Sequence, residues 1–206
     1  AAANGQYELL WDFAIDADSS SKGIALDADN NVYITGRLST EADFDPSAEV
    51  ANLNPADGHV FIAKYNTDGA YQNGRMTATS SNGGHLYNMK VSDIAVDNNN
   101  HAYLFGYYNG SLNFGDGFKN TGGVPRMFLA KYDEYLGSLW MANPGSYTGQ
   151  DDGYELVIDN QNNTYVTGYF SLTADFNPNG TTVEKTSEGH FDIYAASYDT
   201  HGVLRE

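Results

Sequence analysis

The chain has no cysteine among its 206 residues, which excludes disulfide frameworks, thiol catalysis and thiolate metal sites but leaves the compartment open. Positive charge is scarce: 10 Lys and Arg stand against 27 Asp and Glu, a formal net charge of -17. A surface of that sign repels phosphate backbones and anionic headgroups, so neither nucleic acid nor a membrane surface is an expected partner. No stretch approaches about 18 consecutive apolar residues, so no bilayer-spanning segment is expected. Helical periodicity is missing too. With 22 glycines, frequent Asn and Asp and short apolar runs, no window holds a 3.6-residue period for three turns. The opening Ala1-Ala2-Ala3 carries no basic segment or apolar h-region. Yet hydrophobic residues make up 41% and aromatics 14%, which sets the chain apart from a disordered acidic tail and predicts a folded core.

What is present is alternation and repetition. Leu9, Trp11, Phe13 and Ile15 share one face of a segment whose other face carries Leu10, Asp12, Ala14 and Asp16, the pattern of a half-buried strand. The segment IALDADNNVYITG (Ile24 to Gly36) returns as IAVDNNNHAYLFG (Ile94 to Gly106) and LVIDNQNNTYVTG (Leu156 to Gly168), without gaps. Asp27, Asp97 and Asp159 each stand nine residues before the glycine, and Phe44, Phe114 and Phe176 each follow it by eight. A third anchor comes later as FIAKYNTDG, FLAKYDEYLG and YAASYDTHG, each reading strand, polar turn, glycine and a further strand. Each unit thus reads as an inner apolar strand, a tight turn, a second strand ending at glycine, a variable loop, a third strand, a turn and an aromatic fourth strand.

Four antiparallel strands in about 60 to 70 residues predict an all-β chain of three β-propeller blades. The boundaries are a leading strand at 5–16 and repeats at 21–80, 90–146 and 152–206. Val32, Ile34, Phe61 and Ala63, with Ile24, Leu26 and their counterparts, are expected to form the core between blades, and Phe44, Phe114 and Phe176 to be buried.

At these residues the chain resembles the bacterial β-propeller repeat family called SBBP, a seven-bladed β-propeller-type repeat with the flavour IAVD, GNVYVTG, DF and AKY. The resemblance covers nearly the whole chain. It implies an exported, secreted or cell-surface bacterial repeat protein that serves as a non-catalytic scaffold or protein-recognition module, with no catalytic residue to carry over. Two departures stand out: Asn30, Asn100 and Asn162 replace the usual turn glycine, and the third repeat has AASY in place of AKY. Asn tolerates positive φ, so the turns are expected to survive the change.

Candidate sites are few. Asp27 to Asn31 superficially resembles the start of a calcium loop, but the strand resumes at Val32 and a hairpin turn fits better. Asp43 with Asp45, and Asp175 with Asn177, flank the repeat phenylalanines, so that on an extended segment each pair puts its oxygens on one side. These four are the candidate calcium ligands; the second repeat offers Asn113, Gly115 and a displaced Asp116. His59, His85, His101, His190 and His201 show no zinc spacing and read as loop residues. Ser19, Ser20 and Ser21 lack an evident base, and Asp151 with Asp152 is a weak candidate pair for hydrolase chemistry. Tyr107, Tyr108, Tyr169 and Phe170 continue the second strands toward the variable loops and are the candidate stacking residues for a sugar, the lectin-like alternative. Adjacent strand residues face opposite surfaces, so at least one aromatic of each pair is expected in the core.

Closed propellers need about four to eight blades. A three-blade arc therefore leaves two terminal faces open, to be covered by more blades of a longer chain, the favoured expectation, or by a second copy.

Overall fold

The structure, a computed structural model, describes residues 9–55, 60–77, 79–80, 89–115 and 117–205. The first unit holds β1 (Ser19–Leu26), β2 (Val32–Leu38), a small hairpin of β3 (Ala42–Asp43) and β4 (Asn52–Leu53), then β5 (Val60–Tyr65) and β6 (Tyr71–Thr77). After β7 (Thr79–Ser80) the second unit runs through β8 (Met89–Val96), β9 (Ala102–Tyr108), hairpin β10 (Ser111–Asn113) and β11 (Phe118–Asn120), β12 (Arg126–Tyr132) and β13 (Ser138–Ala142). After β14 (Gly145–Ser146) the third has β15 (Asp152–Ile158), β16 (Thr164–Phe170), hairpin β17 (Thr173–Asp175) and β18 (Glu184–Thr186), and β19 (Asp192–Tyr198). The main sheets are antiparallel, in the orders β1-β2-β5-β6, β8-β9-β12-β13 and β15-β16-β19, and no α-helix occurs among the described residues. A single bridge, Tyr198 to Leu204, starts a fourth strand on the third sheet.

Neighbouring sheets are joined in the same way twice. Strand β7 pairs with β10 and β14 with β17, so the segment leaving each fourth strand extends the hairpin of the following unit. First strands lie beside first strands, β1 against β8 and β8 against β15.

The repeated glycines have a steric cause. A Cβ on Gly36, Gly106 or Gly168 would lie 2.0 Å from the carbonyl oxygen of Ser20, Lys90 or Asp152. Bulges in the first strands, between Ser21 and Gly23, Val91 and Asp93, and Gly153 and Glu155, press that backbone onto the second strand. The second strands do not end at these glycines. They run two residues further, to Leu38, Tyr108 and Phe170, because pairing with the third strand continues on the other side.

The abundant Asp and Asn are turn chemistry. Asp27, Asp97 and Asp159 each accept the backbone N–H of residues two and four further on, and Asn66, Asp133 and Asp199 repeat the pattern in the turn after the third strand. Asn30, Asn100 and Asn162 have φ of 62, 63 and 65°, as expected of residues standing in for glycine. Their side chains add something glycine lacks. Asn100 Oδ1 accepts from Ala28 N at 3.2 Å and Asn162 Oδ1 from Asn98 N at 3.0 Å, so each asparagine bonds to the turn of the preceding unit.

Two further devices recur, the first in all three units and the second in two. Tyr65, Tyr132 and Tyr198 donate to the carbonyls of Phe44, Phe114 and Phe176 at 2.8, 3.2 and 2.9 Å. Those phenylalanines are buried, as expected, against Phe61, Phe128 and Tyr194. Lys64 pairs with Asp27 at 3.1 Å and Lys131 with Asp97 at 3.3 Å. In the third unit Ser197 replaces the lysine, Tyr165 Oη donates to Asp159 at 3.0 Å, and Arg205 Nη1 lies 3.2 Å from Tyr165 Oη and 3.3 Å from Ser197 Oγ.

Three expectations need correction. Val32, Phe61 and Ala63 are buried, but Ile24 and Leu26 are exposed. Ile94 and Leu156, the counterparts of Ile24, are buried and Val96 and Ile158, those of Leu26, half-buried because a preceding unit covers that face, and among the described residues none covers it on the first sheet. The leading segment forms no strand over 9–16, although Trp11, Phe13 and Ile15 pack on the core of the first unit; residues 5–8 lie outside the described residues. In the second unit the positive-φ place of Gly69 and Gly202 is taken by Leu136, φ 63°, one residue before the aligned Gly137.

Candidate functional site

The cross-strand pairs Ser20–Arg37, Lys90–Tyr107 and Asp152–Tyr169 occupy equivalent positions at the end of the sheets where the first strands begin. Each first-strand member stands sixteen residues before its repeat glycine. The bulges beside those glycines fix the local direction of the chain, so the three pairs emerge in a row from neighbouring sheets.

In this row charge and aromatic surface meet. Lys90 Nζ lies 3.6 Å from Asp152 Oδ2 and 5.1 Å from the centre of the Tyr154 ring, tying the second unit to the third. Tyr154 packs edge-on against Tyr169 at 5.8 Å, and Tyr169 against Phe191 at 4.9 Å. Tyr154 and Phe191 are exposed, while Tyr107 and Tyr169 are half-buried. Burial raises the Asp152 carboxyl above the usual range, with Lys90 opposing the shift, and its Oδ1 has no hydrogen-bond partner among the described residues. Burial also raises the Tyr107 and Tyr169 phenols, and the Asp152 charge adds to it.

Asp151 points elsewhere. Its Oδ2 accepts Ser146 N at 2.6 Å and its Oδ1 accepts Ser171 N at 3.3 Å. Burial pushes its carboxyl up to about 6, against the pull of these two N–H groups and of Arg126. Arg126 is itself buried, donating to the carbonyls of Asn143 and Gly145 and lying 4.1 Å from the Tyr147 ring centre. The two carboxylates thus serve separate networks, Asp151 locking the β14 segment and Asp152 meeting Lys90.

Of the candidate stacking residues, Tyr107 and Tyr169 belong to the exposed row. Tyr108 and Phe170 do not. Tyr108 donates to Asn143 Oδ1 at 2.9 Å inside the core and Phe170 packs on Phe176, since strand neighbours face opposite surfaces.

The four candidate calcium ligands lie on the hairpin loops, in two separate units. Asp43 Oδ1 accepts Asp45 N and Ala51 N, which lowers its carboxyl pKa, and Asp45 Oδ1 accepts Ser47 N. Asp175 Oδ1 accepts Asn177 N and Val183 N, while Asn177 donates to Thr181 O and accepts Leu204 N. Asn113 does the same work in the second unit, capping Gly115 N and Gly117 N; Asp116 lies outside the described residues. Among the described residues no three His, Asp or Glu stand together to hold a metal. His101 and His201 sit beside the turn aspartates Asp97 and Asp199, His190 beside Phe191, and His59 and His85 lie outside the described residues.

Sequence reading missed Lys90, Tyr154 and Phe191. The signal was available for Lys90, whose repeat position is that of Asp152, but Tyr154 and Phe191 have no aromatic counterpart to mark them.

No family model matches the chain. It is similar to an uncharacterized WD repeat-containing protein of Acanthamoeba polyphaga mimivirus, 27% identical over 189 aligned residues that cover 79% of this chain and 13% of the relative. The described residues are all-β, in antiparallel sheets. The chain spans about an eighth of the length of that curated relative.

Proposed function

We propose that the chain is a segment of a β-propeller, three blades of the kind named above, acting as a non-catalytic scaffold that recognises another protein. The observation that carries this reading is the row of Lys90, Tyr107, Asp152, Tyr154, Tyr169 and Phe191, which presents both signs of charge beside partly exposed rings on a rigid sheet end. Interfaces favour aromatic anchors of this kind, set near charge. Likeness to a WD-repeat protein supports the repeat-scaffold class. Export to a bacterial cell surface is proposed on the SBBP resemblance alone.

A peptide-display library panned against the protein tests this reading. Enriched peptides are expected to lose binding about tenfold or more when Tyr154→Ala and Phe191→Ala are combined, a loss of roughly 1.4 kcal/mol or more, with the fold retained. No enrichment, or enrichment indifferent to both changes, overturns it. The glycan reading keeps one supporting observation: Tyr107 and Tyr169 are half-exposed rings beside a carboxylate and an ammonium, groups that stack on and hydrogen-bond to sugars. A glycan array read with wild type and Tyr169→Ala decides between the two. Tyr108→Ala would report only on stability.

A further inference from the structure

Resting on the protein-recognition reading above, we infer that a crevice between the second and third units receives a carboxylate of the partner peptide, from a side chain or its C-terminus, and that Arg126 meets it. The crevice has a volume of about 310 Å³, just inside the range of about 300–1,000 Å³ typical of sites for small groups. The second unit contributes Phe118 and Asn120 of β11 and Arg126 at the start of β12; Tyr147 comes from the segment after β14, and Pro178 and Asn179 from the hairpin loop of the third. Both walls are therefore units that this chain supplies, and no blade beyond them is needed to build the site.

Arg126 is a cation whose donors are only partly used. It is 4% exposed, its Nε is buried without a hydrogen-bond partner, and Nη2 alone is bonded, to the carbonyls of Asn143 at 2.8 Å and Gly145 at 3.3 Å. Among the described residues no carboxylate forms an ion pair with it. Asp151 feels its charge, but the Asp151 oxygens accept Ser146 N and Ser171 N. Burying such a group is costly, and the repeat does not require it. Two residues before Phe61 and Tyr194, where Arg126 stands before Phe128, the other units have His59 and Asp192. Tyr147 is a second departure, since the residue after β7 is Ser81. Its ring centre lies 4.1 Å from the guanidinium carbon, so the ring covers a face of the group and leaves approach to the edge, where a carboxylate hydrogen-bonds.

The surroundings suit an acid carried on a peptide. Although the chain has 27 Asp and Glu, none of the described ones lines the crevice, whereas Lys119 does. Asn120, oriented by accepting Gly122 N at 2.8 Å, and the exposed Asn179 add amide donors. Phe118, which is exposed, with Met141 and Pro178 supplies apolar surface for the residues beside the acid. Arg, Tyr, Phe and Met are the types enriched where protein interfaces seat their anchors. The net charge of -17 opposes an anion at long range, but screening confines that field to about 8 Å at physiological salt, so the adjacent cation decides. Arg126 lies across from Tyr108, the neighbour of Tyr107, which places the crevice at the same end of the sheets as the aromatic row.

The test is an NMR titration of the whole chain with three short probes at millimolar concentration. One is acetyl-Glu-Phe with a free C-terminus, the second the same dipeptide as its terminal amide, and the third acetyl-Gln-Phe amide, which has no carboxylate. The carboxylate probes are expected to shift the backbone amides of Asn120 and Asn179 and to bind about tenfold or more tighter than the neutral one. The probe amidated at its terminus separates the sources: binding retained assigns the side-chain carboxylate, and binding lost assigns the C-terminal one. Arg126→Gln is expected to abolish the preference for carboxylate. Because Arg126 also anchors β14, Asn179→Asp is the second variant; on an exposed loop it leaves the fold in place and sets a like charge beside the site, so the carboxylate probes weaken about tenfold while the neutral one is unchanged. Equal binding of all three probes, shifts confined to other residues, no shift at all, or indifference to Asn179→Asp overturns the inference. A uronic acid that binds the crevice while the peptides do not overturns the peptide assignment. None of these results touches recognition at the row, which fails separately if Tyr154→Ala with Phe191→Ala leaves the enriched peptides bound.

Discussion

At the residue scale the clearest cases are side chains on which two effects compete. Leu136 holds a left-handed backbone conformation that costs about 1–2 kcal/mol for a residue with a Cβ, yet it is 1% exposed within the core of the second unit. Truncating a buried leucine costs about 3–5 kcal/mol, so Leu136→Gly is expected to destabilise by roughly 1–4 kcal/mol in chemical denaturation although it relieves the strain. An unchanged or raised midpoint would mean the strain dominates. Phe176, buried between Phe170 and Tyr194, has no such conflict. Phe176→Ala is expected to cost about 3–5 kcal/mol, and a thermal melt that barely moves would show the ring carries little of the core. One oxygen of Asp43 and one of Asp175 are each committed to two backbone N–H groups, and among the described residues no third acidic or histidine side chain stands with either, so melts in EDTA and in millimolar calcium are expected to coincide. A rise with calcium would follow RT ln(1 + [L]/Kd) and support the metal reading.

At the scale of elements, turns do two jobs. The hairpin between first and second strands reverses the chain, and its asparagine also ties one sheet to the next. Asn162→Gly keeps the φ of 65° without strain but deletes the bond from Asn98 N, so a loss of about 1 kcal/mol is expected. Asn30→Gly deletes no bond to a preceding turn among the described residues and is expected to be neutral or slightly stabilising in the monomer. Equal effects at the two sites, measured by urea unfolding, would remove the inter-turn bonds from the account.

At the scale of the whole molecule, opposed titrations shape stability. Asp159 is held down at about 2, first by the Asn163 amide and then by its backbone N–H; that contribution is present above the unfolded value near 3.8 and is lost as pH falls toward 2. Asp151 has the opposite sign. Its folded value of about 6 lies above the unfolded 3.8, so the native state binds the proton more tightly and stability from this group rises as pH falls from 7 toward 4. The gain between pH 7 and pH 5 is about 1 kcal/mol. Comparing wild type with Asp151→Asn isolates it from the relief of general negative charge: the variant's curve is expected to be flatter across that window, and parallel curves would mean Asp151 is not a buried acid.

Fold class was legible because β structure of this kind is written in local chemistry. Asp27 and its counterparts cap their own turns, Gly36 and its counterparts sit where a neighbouring carbonyl admits no Cβ, and Phe44 and its counterparts recur at fixed distances from both. All these causes act within one unit, so a unit repeated three times displays them three times. The candidate row at the sheet end was half legible: Tyr107 and Tyr169 follow the repeat glycines, but which aromatic of each pair faces outward depends on the sheet packed behind it. What only the tertiary structure decided is the fate of identical positions. Ile24 and Ile94 have the same sequence context, yet one is open and the other 3% exposed, because burial of a sheet face is a property of its neighbour and not of its own residues.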